Sequence, residues 1–208
     1  MPNGSCAVVF AILLIIGSAG CLSNQSPQPT PQPTSLITAL PTRESPVSTI
    51  KPADMALQLS DVPADYMLKE RSDRIYPEMS QLSRDLGWRQ GYSVTFYRLN
   101  LEKFDMTGLR QSIDLYPLGN MNKVFDMATD AMISRANGTV TVYEMPLYRI
   151  GDKSIAYKTE NTSIPYSLPV YTILFIKKDV FEELEMGGTT TDYETLKAVA
   201  GIAADKIP

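Results

Sequence analysis

Residues 91–99 read GYSVTFYRL, in which Tyr92, Val94 and Phe96 alternate with Ser93, Thr95 and Tyr97. A period of two predicts a half-buried strand. The stretch LRQSIDLY (109–116) does the same, with Leu109, Ile113 and Leu115 on one side and Arg110, Ser112 and Asp114 on the other. Further strands are expected at TVTVYEM (139–145), SIAYKTE (154–160), VYTILFIK (170–177) and VFEELEM (180–186). The last two flank Lys178 and Asp179, a two-residue hairpin connection without the glycine that tight primed turns prefer.

Elsewhere the period lengthens to that of a helix. Over 120–135, Met121, Val124, Phe125, Ala128 and Met132 fall on one face, and over 192–207 Leu196, Val199, Ala200, Ala203 and Ile207 repeat the spacing. The second helix opens with a capping box on Thr191 and Glu194. A shorter helix is expected over 77–86, with Pro77 in its first turn, Met79, Leu82 and Leu86 on one face, and Gly87 as its stop.

The order is roughly β-α-β-β-α-β-β-β-β-α, in which the first strand, ahead of residue 77, has no pattern to delimit it. Strands that follow one another through short turns pair antiparallel, so the expected class is α+β. The expected architecture is a single domain, mainly antiparallel sheet, with two or three helices packed on one face.

The amino terminus follows a different pattern. Residues 6–16 read CAVVFAILLII, followed by Gly17, Ser18, Ala19 and Gly20, then Cys21. A short apolar core ending in small residues has the shape of an export signal. This stretch resembles a bacterial or archaeal lipoprotein signal. That resemblance implies that Ala19 and Gly20 belong to the recognition box and that Cys21 carries lipid as the mature amino terminus. The sequence departs from the pattern at Ser18, where an aliphatic residue is usual, and in having no Lys or Arg over 2–20. An uncleaved anchor over 6–22, at the lower length limit for a bilayer, is the alternative, with plain secretion a third. Two attached acyl chains would hold the domain durably, whereas one would hold it marginally.

Residues 22–53 hold seven of the 15 prolines among many Ser, Thr and Gln residues. Proline lacks an amide donor and fixes φ, so this stretch is expected to be a disordered, semi-extended spacer reaching on the order of 100 Å. The expected organisation is therefore a signal at 1–20, a lipidated Cys21 with linker to 53, and a globular domain at 54–208.

Composition narrows the chemistry. The chain has no histidine, its two cysteines are Cys6 and Cys21, and its formal charge is −4. The folded domain thus lacks Ser-His-Asp and Cys-His catalysis, His- or thiolate-ligated metals and disulfides. An acidic balance provides no footprint for nucleic acid or for anionic lipid. No cofactor or metal motif is present. Asp179, Glu182, Glu183 and Glu185 do not converge as ligands, because on a strand Glu182 points away from the other two glutamates; they are expected on a solvated sheet edge.

The binding candidates are aromatic. Trp88, the only tryptophan, could stack a flat ligand together with Tyr92 or Tyr97, although a lone tryptophan at a helix–strand junction also fills core space. Asn137 and Asn161 begin glycosylation sequons in an exported chain, as does Asn24. The spacing GW…GY, followed by an alternating strand, IGDKS and a late hairpin, is similar to exported prokaryotic lipoproteins of uncharacterised family; that similarity names no activity. The leading expectation is a non-catalytic, membrane-tethered extracytoplasmic domain that binds a small molecule or an envelope protein. The alternatives are an extracytoplasmic hydrolase working through paired carboxylates and a purely structural envelope protein.

Overall fold

A computed structural model of the chain describes residues 51–163 and 167–208. The signal, Cys21, the sequon at Asn24 and the linker up to residue 50 lie outside the described residues. Seven strands form one antiparallel sheet in the order β1-β2-β3-β7-β6-β5-β4. These are β1 (Met67–Arg74), β2 (Gln90–Asn100), β3 (Asp105–Leu115), β4 (Val140–Met145), β5 (Lys153–Asn161), β6 (Val170–Lys177) and β7 (Val180–Gly188). The helices are α1 (Pro52–Met55), α2 (Gln81–Asp85), α3 (Met121–Ile133) and α4 (Tyr193–Asp205). Two meanders, β1 to β3 and β4 to β7, are joined through α3, and β3 pairs with β7 to close the sheet.

The α+β class and antiparallel sheet are as expected, but the helices do not share one face. Along β6, Ile173 and Phe175 join a core with Leu196, Val199 and Ala203 of α4. Their neighbours Leu174 and Ile176 join a second core with Val124 and Phe125 of α3. Successive strand residues point to opposite faces, so α3 and α4 cover opposite sides of the sheet. The reason is visible in the sequence of β6, whose apolar run ILFI does not alternate; such a strand is stable only when covered twice. Residues 55–57, nearly inaccessible to solvent, lie on the α4 side.

Local chemistry adjusts three expected features. The helix expected over 77–86 divides into a 3-10 turn at Tyr76–Glu78 and α2, because Ser80 starts α2 afresh by accepting a hydrogen bond from the Ser83 amide. Leu82 is consequently exposed rather than packed. The cap of α4 is Asp192, not Thr191: its carboxylate accepts from the amides of Glu194 and Thr195 at 3.1 and 3.2 Å. The β6–β7 turn places only its first residue, Lys178, at positive φ (57°), and the Asp152 carboxylate holds the Lys178 amide at 2.7 Å.

Candidate functional site

The site is built at the end of the sheet where β2 begins. Gly87, at φ 81°, ends α2 in the left-handed region and sends the chain into Trp88. Arg74, Gly91 and Asp114 then stand side by side across β1, β2 and β3. Because Gly91 has no side chain, the Arg74 guanidinium passes over it and donates to Asp114 Oδ2. A Cβ at position 91 would collide with Asp114 Oδ1 and stand 3.1 Å from Trp88 Cζ2. The indole N–H of Trp88 donates to the other carboxylate oxygen, Oδ1, at 2.6 Å.

Asp114 is buried between these donors. Burial pushes its carboxyl above the usual range even though Arg74 and the Trp88 indole favour the charged form. The Tyr116 hydroxyl is pushed up to about 12, first by burial and then by the nearby Asp114. On the outside, the Tyr76 ring lies 6.2 Å from that of Trp88, tilted by 47°, and the Arg84 guanidinium sits 5.6 Å above Tyr76. Beside this stack runs a groove of about 330 Å³, walled by Pro52, Ile75, Tyr76 and Trp88 and bordered by Lys51 and Arg89. That volume falls within the range of small-molecule sites.

The three aromatic residues read from the sequence are not brought together. Trp88 is at this groove with its ring largely enclosed, so it fills core space and walls a groove at once. Tyr92 packs against the core on the α4 face. Tyr97, an odd number of residues further along β2, is on the opposite face from Tyr92, in a shallow depression with Leu68, Lys69 and Met106. Sequence reasoning missed Arg74, Tyr76 and Asp114. In sequence Asp114 is a polar position of an alternating strand, and β1 carries no apolar alternation that places Arg74.

The acidic run of β7 does not lie on a solvated sheet edge. β7 is the central strand of seven, not an edge. Glu182 is fully buried on the α4 face, while Glu183 and Glu185 lie on the α3 face. Gln111 Nε2 donates to Glu182 Oε2 at 2.8 Å, and Gln111 Oε1 accepts from the Leu57 amide at 2.8 Å. Glu182 Oε1 has no partner among the described residues. Burial, opposed only by Gln111, pushes this carboxyl up to about 8. Among the described residues no grouping of three or more acidic, histidine or cysteine side chains could hold a metal. Nor is any described helix long and apolar enough to cross a membrane.

Asn137 is exposed in the turn before β4, where its side-chain oxygen accepts from the amides of Thr139 and Val140. Asn161 pairs with Val140 at the end of β5 and is half-buried.

The fold has a solved counterpart. The chain matches the crystal structure of the extracellular domain of PknH from Mycobacterium tuberculosis with a TM-score of 0.61. The match covers 78% of this chain and 97% of that one at 10% sequence identity, so what the two share is the fold. No protein-family model matches the chain, and no curated protein matches it in sequence.

Proposed function

We propose that this chain is a membrane-tethered, extracytoplasmic and non-catalytic domain that takes a small molecule in the groove beside Trp88. The groove carries the reading: two aromatic rings, an aliphatic wall and bordering cations surround a concave space, and a part-buried ion pair, Arg74 with Asp114, braces it. The counterpart fold is an extracellular domain of a bacterial protein, which agrees with the lipoprotein-like signal ending at Cys21.

An envelope-protein partner is the second reading, favoured by the tip of the β2–β3 hairpin. There Leu101 and Phe104 are 73% and 89% exposed, with Met106 beside them.

The test is native mass spectrometry of the intact chain, extracted gently from its own membranes. A retained small molecule that is lost from the Tyr76→Ala protein is the expected result. A bare mass in both proteins would move the search to the hairpin tip. Cys21→Ser tests the tether separately, and release from membranes is expected.

A further inference from the structure

We infer that the groove beside Trp88 selects a flat ligand bearing a negative charge, an inference that rests on the small-molecule reading above. The charges around the groove are unequal. Arg74 is neutralised by Asp114 behind it. The side chains of Lys51 and Arg89 form no hydrogen bond or ion pair with any described residue, and Asp73 is the carboxylate left to set against them. Among the described residues one positive charge is therefore in excess at the rim of a largely apolar space. A ligand that answers it desolvates its own charge against a donor that gives up no partner among the described residues.

The walls define the remainder of the ligand. Tyr76, with 55% of its surface exposed, and Ile75, with 50%, present apolar area that no other described side chain covers. The Tyr76 ring is steadied by Arg84, 5.6 Å from its centre, and by the tilted Trp88 ring at 6.2 Å. A rigid ring that accepts a planar group loses little conformational freedom on binding. An aromatic or conjugated acid satisfies both the walls and the rim.

The polar groove around Arg98 lacks this combination. Its guanidinium is spent on Thr190 at 2.8 Å and on Asp65 at 3.3 Å, and Asp105 adds a further carboxylate.

The test uses the full-length chain in detergent, labelled with 5-fluorotryptophan. Trp88 is the only tryptophan, so one fluorine resonance reports the groove. Three probes of one shape are titrated: cinnamate, cinnamamide and cinnamylammonium. Cinnamate is expected to shift the resonance saturably with an affinity at least tenfold above that of cinnamamide, and cinnamylammonium to bind most weakly. The paired substitution Lys51→Gln and Arg89→Gln should abolish the preference while leaving the resonance of the free protein in place. Equal or tighter binding of the neutral or cationic probe, with the resonance still moving, overturns the charge selection and leaves the small-molecule reading standing. A cinnamate preference that survives the paired substitution also overturns it. If no probe moves the resonance at millimolar concentration, both fall.

Discussion

Asp114 and Glu182 lie on neighbouring strands, one residue out of step, so that Asp114 faces α3 and Glu182 faces α4. Both carboxyls are buried, and burial pushes both upward. Their surroundings differ. Asp114 is met by a guanidinium on one oxygen and an indole N–H on the other, and it borders a groove. Glu182 has one amide donor, an oxygen without a partner among the described residues, and apolar neighbours such as Ile113, Phe175 and Leu184. The same chemical group thus organises a site on one face and is a stability cost on the other. Removing one partner of a buried pair strands the other, whereas an unpaired buried carboxyl costs most when it ionises.

The largest expected effect is on the paired side. Asp114→Ala leaves the enclosed Trp88 indole without its acceptor and the part-buried Arg74 guanidinium without its partner, and urea unfolding should report a loss of about 3 kcal/mol, the low end for a buried pair because Arg74 keeps some contact with water. Asp114→Asn keeps an acceptor for the indole and should cost distinctly less. Equal losses would mean that the charge, not the hydrogen bonds, organises this end of the sheet.

Next comes the pH dependence on the unpaired side. The folded carboxyl of Glu182 is raised to about 8 from the ordinary 4.5. Between those values the unfolded chain has released a proton that the folded chain still holds. Stability therefore falls as pH rises through this window, by on the order of 1 kcal/mol per pH unit. Below 4.5 both states are protonated and the cost vanishes. Thermal unfolding of the wild type should weaken from pH 5 to pH 8, and Glu182→Gln should flatten that slope. Asp114 and Glu183 are raised in the same direction, so a slope unchanged in Glu182→Gln would move the effect to those carboxyls on the α3 face.

A third expectation sharpens the geometry. Gly91→Ala introduces a Cβ that meets Asp114 Oδ1, and the atoms opposite belong to the paired carboxylate and the enclosed indole. Overpacking at such a position costs about 1–3 kcal/mol. Tryptophan fluorescence should shift along with the loss of stability, since Trp88 is the ring displaced. Gly108, whose added Cβ would come no closer than 3.9 Å to a neighbour, provides the control within the adjoining strand, and Gly108→Ala should leave the fluorescence unchanged.

Much of the sheet was legible because the apolar residues of β2, α3 and α4 keep one period each, and a single period identifies a single buried face. β1 was not, since MLKERSDR, with few buried positions, is recruited by pairing with β2 rather than by its own pattern. Coverage on both faces was written in the unbroken ILFI of β6, but periodicity alone does not say which helix takes which side. The site was harder still. Trp88 stands out by rarity, whereas Arg74 and Asp114 become partners only through a register that crosses three strands and a glycine between them. The burial of Glu182 depends on β7 being central, and that follows from β3 pairing across about 70 residues with the last strand.

The smallest expected effect concerns the segment that covers Glu182. The Leu57 amide rests on Gln111, and four residues later the Asp61 carboxylate meets Lys206, just beyond α4, at 2.7 Å. Burial raises the Asp61 carboxyl, but Lys206 and the Gln58 amide outweigh it and hold the group below its ordinary value. Its contribution is therefore present above the usual carboxylate range and lost as pH falls through the lowered value, opposite in sign to that of Glu182. The pair is partly solvated, so Lys206→Gln should cost no more than about 1 kcal/mol in global unfolding at neutral pH. Hydrogen exchange is the sensitive probe, because local opening can change while global stability barely moves. Faster exchange at Leu57, with exchange in β2 unchanged, would show that this ion pair holds the segment over Glu182. Unchanged exchange at Leu57 would assign the docking of the segment to Met55, Ala56 and Leu57, whose side chains are already buried against β2 and β3.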